Sequence, residues 1–184
     1  MDWGNVTVVI LVATLVVALI YGITLYNQLV NLKHGVSQAW ANIDVLLRQR
    51  HEELPKLVEA CRQYMQYEQA TLERVISARN AVGQARDRSD LKQLGQAETA
   101  LRNGLGQLFA LAENYPQLQA SSSFQHLQQR ISGLENGIAD RRELYNAAVN
   151  INNVRIEQFP DVLVARLFSF HGAELLQFSE AEKA

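Results

Sequence analysis

The amino-acid sequence predicts an all-α fold: an N-terminal transmembrane helix followed by an elongated antiparallel three- to four-helix bundle. Three observations predict it. No charged residue stands between Asp2 and Lys33. From Tyr26 to Phe159, apolar residues recur three and four apart, the period of one helix face. No stretch alternates with the period of two that marks a half-buried strand. The overall composition says little of this. With 184 residues, 48% hydrophobic and 20% charged, and a net charge of −2, it resembles an ordinary globular domain. The near-neutral balance argues against a nucleic-acid binder, which shows a basic excess. A single cysteine excludes a disulfide framework and a cysteine-rich zinc site. Three prolines and ten glycines are too few for a fibrous or linker-dominated chain.

The first element is the span. Val6 to Leu25 reads VTVVILVATLVVALIYGITL, twenty residues without a charge. At about 1.5 Å per residue this reaches roughly 30 Å, the thickness of a bilayer's hydrocarbon core. Trp3 on one side and Tyr21 and Tyr26 on the other stand where interfacial aromatics belong. The start MDWGN has no basic residue, and no small-residue cleavage site follows, so an uncleaved anchor is expected. The division is therefore 1–5 as a short exposed N-terminus, 6–26 as the transmembrane helix, 27–160 as the bundle and 161–184 as an apolar tail that docks on bundle or membrane. Lys33, Arg48 and Arg50 follow the span and Asp2 precedes it. By the positive-inside rule the N-terminus lies outside and the body in the cytoplasm. Thr14, Ala18 and Gly22 form a small-xxx-small stripe, a candidate for helix–helix packing in the membrane.

The body follows. From Tyr26 to Val82 the helical pattern is interrupted once, at Pro55, which is expected to kink the helix or start another. Gly83 and the polar run after it read as a helix stop. Asp90 is placed to cap the next helix, with Gln93 three residues on. That helix carries a seam of Leu91, Leu94, Leu101, Leu105, Leu108, Ala112 and Tyr115, weakened at Glu98 and ended by Pro116. Serines 121–123 offer the cap of a last long helix. Its seam is Phe124, Leu127, Ile131, Leu134, Ile138, Arg141, Tyr145, Ala148 and Asn152, closing at Phe159-Pro160. Asp44 and Arg48 stand four apart, the spacing of a helix-surface pair, and Glu135 and Arg142 stand seven apart on a similar face.

A catalytic constellation is not found. None of His34, His51, His126 and His171 has a glutamate three residues before it, so the di-iron Glu-x-x-His pattern is missing. Gly104-Leu105-Gly106 starts a G-x-G, but Phe109 occupies the third glycine position and no strand precedes it. Cys61 lies on the apolar stripe, as a small core residue does. No enzyme, cofactor or metal is expected.

Several blocks in fixed order carry a family resemblance. The first runs Tyr26-Asn27-x-Leu29-Val30, Ala39-Trp40-x-x-Ile43-Asp44-Val45, Arg50, then Leu54-Pro55-x-Leu57-Val58-Glu59. The second runs Glu113-Asn114-Tyr115-Pro116-x-Leu118-x-Ala120, Phe124, Leu127-Gln128, Glu135-Asn136-x-Ile138, Arg142, Tyr145-Asn146-x-x-Val149, Phe159-Pro160. Together they resemble the LemA family of bacterial membrane proteins. Lys56, where the family often has asparagine, and Asn150-Ile151-Asn152, which lacks a usual tyrosine, depart from the pattern. The resemblance implies a single-pass protein of the bacterial inner (cytoplasmic) membrane with its N-terminus outside, and a helical body in the cytoplasm. It implies no established enzymatic activity; a related protein of magnetosome-forming bacteria is linked to membrane compartments.

Two functional classes follow. In the first, a membrane-anchored scaffold self-assembles as a homo-oligomer and organises or shapes the membrane or recruits partners. In the second, the chain is an accessory subunit docking one-to-one on a membrane protease, phosphatase or signalling protein. Lipid is a partner in both, and nucleic acid in neither.

Overall fold

The computed structural model describes residues 3–178. Among them are six helices and no strand: α1 (Trp3–Arg62), α2 (Gln69–Asp87), α3 (Leu91–Ala112), α4 (Pro116–Gln119), α5 (Ser122–Glu157) and α6 (Asp161–Leu167). The chain is all-α, as its apolar period requires. Two compact units are present. One contains residues 1–39 and 147–173, the other residues 40–146 and 174–184, so α1 and α5 each contribute to both.

Pro55 does not break α1, which runs on for seven residues beyond it. Proline has no N–H to give the carbonyl four residues back, which belongs to His51. The Arg79 Nε donates to that carbonyl instead, at 2.9 Å. The carbonyl that the proline leaves without a partner in its own helix is thus satisfied from another helix. The break comes at 63–68, after Met65 N–H has bonded the Cys61 carbonyl at 2.9 Å.

Gly83 is not a stop either. It lies inside α2, where an added Cβ would meet the His51 ring at 3.0 Å, so the glycine serves close packing. The helix ends four residues later in a Schellman motif. Ser89 takes the left-handed conformation (φ 55°), its N–H bonds the Arg86 carbonyl at 3.0 Å, and Asp90 N–H bonds the Ala85 carbonyl at 3.0 Å. Asp90 then caps α3 as its spacing predicts, its carboxylate accepting from Gln93 N–H at 2.9 Å.

In the second unit, the pairings give the helix directions. Asp44 meets Arg86 and His51 meets Arg79, so α1 and α2 run antiparallel. Leu46 meets Gly137 and Glu53 meets Arg130, so α1 and α5 do too. Val75 packs on Gly104 with α2 against α3. The core is Ile43, Leu47, Leu54, Leu57, Val58 and Cys61 of α1, with the seams of α2, α3 and α5. The α5 seam departs from expectation at two places. Arg141 is exposed, and Val149 is buried where Ala148 was expected, Ala148 being half-buried. Stepping Ile138, Tyr145, Val149, Asn152 keeps the three-and-four rhythm without burying an arginine.

The other unit buries Leu25, Leu29, Asn152, Val149, Asp161 and Ala165. Arg155 bonds Asp161 at 2.8 Å and Gln28 at 2.6 Å. The Tyr26 ring meets Phe168 and Phe170 edge-on, with centroids 4.8 and 5.7 Å apart.

Candidate functional site

Three features of this chain exceed what a plain helical core needs: an uncovered apolar helix, a charged interior and a segment held by its backbone.

From Trp3 to Tyr21 every residue of α1 is exposed, including Leu11, Leu15 and Leu19 at 61–69%. An apolar surface of this length is of the size and composition to cross a membrane. Its threonines fit that environment. The hydroxyls of Thr7, Thr14 and Thr24 donate back to the carbonyls of Gly4, Ile10 and Ile20 at 2.8, 2.9 and 3.0 Å. With their protons used inside the helix, these three hydroxyls present no free donor to hydrocarbon. Thr14 and Ala18 of the small-residue stripe are exposed, and a Cβ added at Gly22 would meet nothing within 4 Å.

The second unit encloses charge. Arg50 is 1% exposed, and its two terminal nitrogens donate to Glu98 of α3 and Glu135 of α5. Arg102 Nε lies 3.7 Å from the other Glu135 oxygen. Burial works against the Arg50 charge, but the two carboxylates outweigh it and hold the guanidinium above its ordinary value. Burial also pushes the Glu98 carboxyl up, against the pull of Arg50. The asymmetry follows from the partners: Arg50 has two carboxylates in contact, Glu98 one guanidinium. Neighbouring pairs flank this cluster. Asp44 binds Arg48 at 2.7 Å and Arg86 at 3.8 Å, while Glu53 binds Arg130 at 3.2 Å and Lys56 at 3.4 Å. Glu98 is thus no flaw in the α3 seam. It is the partner of a buried arginine on another helix, which a spacing argument along α3 alone does not reveal. The usable signal was an opposite charge on the seam of each helix.

Within the second unit, residues 174–178 lie extended across α3 and α5. The Asn146 side chain bonds both backbone groups of Leu176, at 2.9 and 3.0 Å. The Tyr145 hydroxyl donates to the Glu174 carbonyl at 2.8 Å. Leu176 is buried, and the Phe178 ring lies under the Arg142 guanidinium at 4.2 Å and near that of Arg102 at 5.5 Å. Of the two environments expected for the tail, this part of it docks on helices. Residues 179–184 of that tail lie outside the described residues. In the first unit, Asn153 holds Ala173 by the same pair of bonds, at 2.9 Å each.

The remaining family-block residues are dispersed. Trp40 packs edge-on against Tyr145 at 5.7 Å, and Ile43 is in the core. Pro55, Glu59 and Asn136 are exposed; Glu59 is 3.7 Å from Arg62. Glu113, Asn114 and Tyr115 make the turn into α4, with Pro116 as its first residue. Asn27 is exposed, as is Phe159, which precedes Pro160 through a cis peptide. These blocks hold turns, ion pairs and packing; they do not converge on one pocket.

The LemA family profile matches residues 39–184. Magnetosome proteins MamQ 1 and MamQ 2 of Paramagnetospirillum magneticum are each 36% identical over 86 residues, which is 47% of this chain and 32% of theirs. Magnetosome protein MamQ of Magnetospirillum gryphiswaldense is 32% identical over 83 residues, 45% of this chain and 30% of its own. The matched stretch spans about a third of those relatives. Since the family match includes α2 to α6 and well over half the sequence, the chain belongs to the LemA family.

Proposed function

We propose that this chain is a membrane-anchored helical scaffold, which self-assembles and organises or shapes the membrane or recruits partners, without catalysis of its own. The observation that carries this is the division of labour along the sequence. One apolar helix surface is left uncovered, while Arg50 with Glu98 and Glu135, and Asn146 with the Leu176 backbone, engage each other inside the body. With Glu98 and Glu135 tied to Arg50, the charged interior serves to hold the helices, and arginine itself stays charged. The likeness to magnetosome proteins supports a role at a membrane. The anchor belongs in the bacterial inner membrane with the body in the cytoplasm, on the charge asymmetry of Asp2 against Lys33, Arg48 and Arg50.

The test is the mass of the full-length protein in lipid at micromolar concentration. Oligomers support the scaffold. A strict monomer that crosslinks in cells to one different membrane protein overturns it in favour of an accessory subunit. Reporter fusions on either side of the span check the orientation, and an exported body refutes it.

A further inference from the structure

The way residues 174–178 are held is the way a peptide is held by a receptor. Recognition is through the backbone, with pockets for alternate side chains. Asn146 bonds both the N–H and the carbonyl of Leu176, and the Tyr145 hydroxyl bonds the carbonyl of Glu174. Leu176 is sunk to 1% exposure, and two residues on Phe178 meets Arg142. The intervening Gln177 is exposed, and its carbonyl fills a notch at Gly95. A Cβ on Gly95 would stand 1.9 Å from that oxygen, so glycine is required there for the backbone to approach. Gly95 is buried, yet the period of α3 does not ask for glycine at that position.

We propose that the face of α3 and α5 built from Gly95, Arg102, Arg142, Tyr145 and Asn146 is a receptor for an extended Leu-x-Phe segment. Residues 174–178 fill it in cis, and the same residues of a second copy fill it when copies are crowded. The second copy is the fitting occupant because the notch, the asparagine and the two guanidiniums match this very sequence, which every copy carries. The hold is also small enough to exchange. Among the described residues it includes three hydrogen bonds, one buried leucine and one aromatic ring, and residues 174–178 form no helix or strand. In an isolated copy the tethered segment wins by its high effective concentration. On a membrane that gathers copies, neighbours compete, and each exchange links two chains. This rests on the self-assembly reading for its consequence, and it supplies that reading with a contact.

The experiment uses the full chain in phosphatidylcholine–phosphatidylglycerol vesicles and a fluorescein-labelled peptide of residues 171–178. The Leu176→Asp chain, its own segment weakened, is expected to bind the peptide at least ten-fold more tightly than the unaltered chain. Adding Asn146→Ala to it should remove at least ten-fold of that affinity. Absence of binding to a Leu176→Asp chain of unchanged helical circular dichroism overturns the proposal, as does binding that ignores Asn146→Ala. If Leu176→Asp loses its helical signal, Phe178→Ala takes its place with the same two outcomes. Energy transfer between differently labelled full-length copies completes the test. Association that persists undiminished in Asn146→Ala overturns the exchange and leaves the scaffold standing. Peptide binding with copies that stay single overturns the exchange and the scaffold together.

Discussion

Replacing Arg50 by methionine removes the cation from a buried cluster while keeping much of its volume. Glu98, 3% exposed, then loses its guanidinium, and Glu135 keeps Arg102 at 3.7 Å. Breaking a buried pair from one side costs about 3–5 kcal/mol, because a charge stays behind in a poorly solvating interior. At about 2–4 °C per kcal/mol for a chain of this size, the unfolding midpoint should fall by roughly 6–20 °C. Removing the carboxylate as well, in Arg50→Met/Glu98→Met, takes away the stranded charge, and the double variant should recover most of the loss. The sign with pH is also determined. In the single variant Glu98 keeps a raised carboxyl value, with the Arg50 pull gone and only the weaker one of Arg102 left to oppose burial. Stability then favours the protonated side and is lost as pH rises through that folded value. Arg50→Met should therefore be less destabilised at pH 5 than at pH 8. Thermal unfolding in detergent micelles, followed by Trp40 fluorescence in a Trp3→Phe background, reads all three quantities. A loss below about 1 kcal/mol, or a double variant as weak as the single one, refutes the assignment of Arg50 as a paired buried charge.

Three further outcomes are expected. Arg79→Met should cost about 1 kcal/mol by orphaning the His51 carbonyl, and much less in a Pro55→Ala chain, whose new N–H reaches the same oxygen; equal costs in both backgrounds would show that Arg79 does not replace the missing donor. The Cys61 thiol, pushed up to about 12 by burial, should resist iodoacetamide at pH 8 until denaturant is added; rapid labelling of the native chain would contradict its burial. His51 is held below its ordinary value by burial, then by Arg79 and Arg86, so its contribution is present above about pH 6.5 and fades as pH falls through the folded value. The unfolding midpoint of the unaltered chain, less that of His51→Gln, should shrink between pH 7.5 and 5.5, and a difference flat in pH would count against the shift.

What could be read from the sequence was what depends on one element at a time. The uncharged run of α1, the Asp90 cap and the leucine seam of α3 are properties of spacing and local chemistry. What escaped depends on a second element. Pro55 promised a kink or a new helix because its missing donor is visible in the sequence; no new helix starts there, and the Arg79 that stands in for the donor is 24 positions away. Gly83 looked like a stop, since nothing nearby in sequence announces the His51 ring lying against it. The stop itself is Ser89, a residue with no special claim to positive φ. Arg50 entered as a charge after the span, Glu135 as a surface partner of Arg142, both again through family resemblance, and Glu98 only as a blemish. Asn146 entered through the resemblance, without its role, because a clasp on a backbone leaves no period to detect.

The charged interior answers a problem that the seams create. Leucine and alanine repeated at heptad spacing pack almost as well after a slip of seven residues as before it. A slip of α3 by one heptad brings Leu91 or Leu105 to the level of Glu98, and Arg50 is left facing a side chain that cannot accept. A slip of α5 brings Gln128 or Arg142 to the level of Glu135, and the second carboxylate is lost in the same way. One arginine thus sets the register of two helices against α1, at no required gain in stability; single polar residues in heptad seams act in this way. The consequence separates register from stability. The Arg50→Met/Glu98→Met/Glu135→Met chain should unfold within a few degrees of the unaltered one, yet its slipped packings are no longer penalised. Disulfide trapping between α1 and α3 reads this directly, with cysteines placed at one heptad's offset from the native level. Such crosslinks should form in the triple variant and not in the native sequence. Crosslinks confined to the native level in both chains would mean that packing alone sets the register and that the arginine does not.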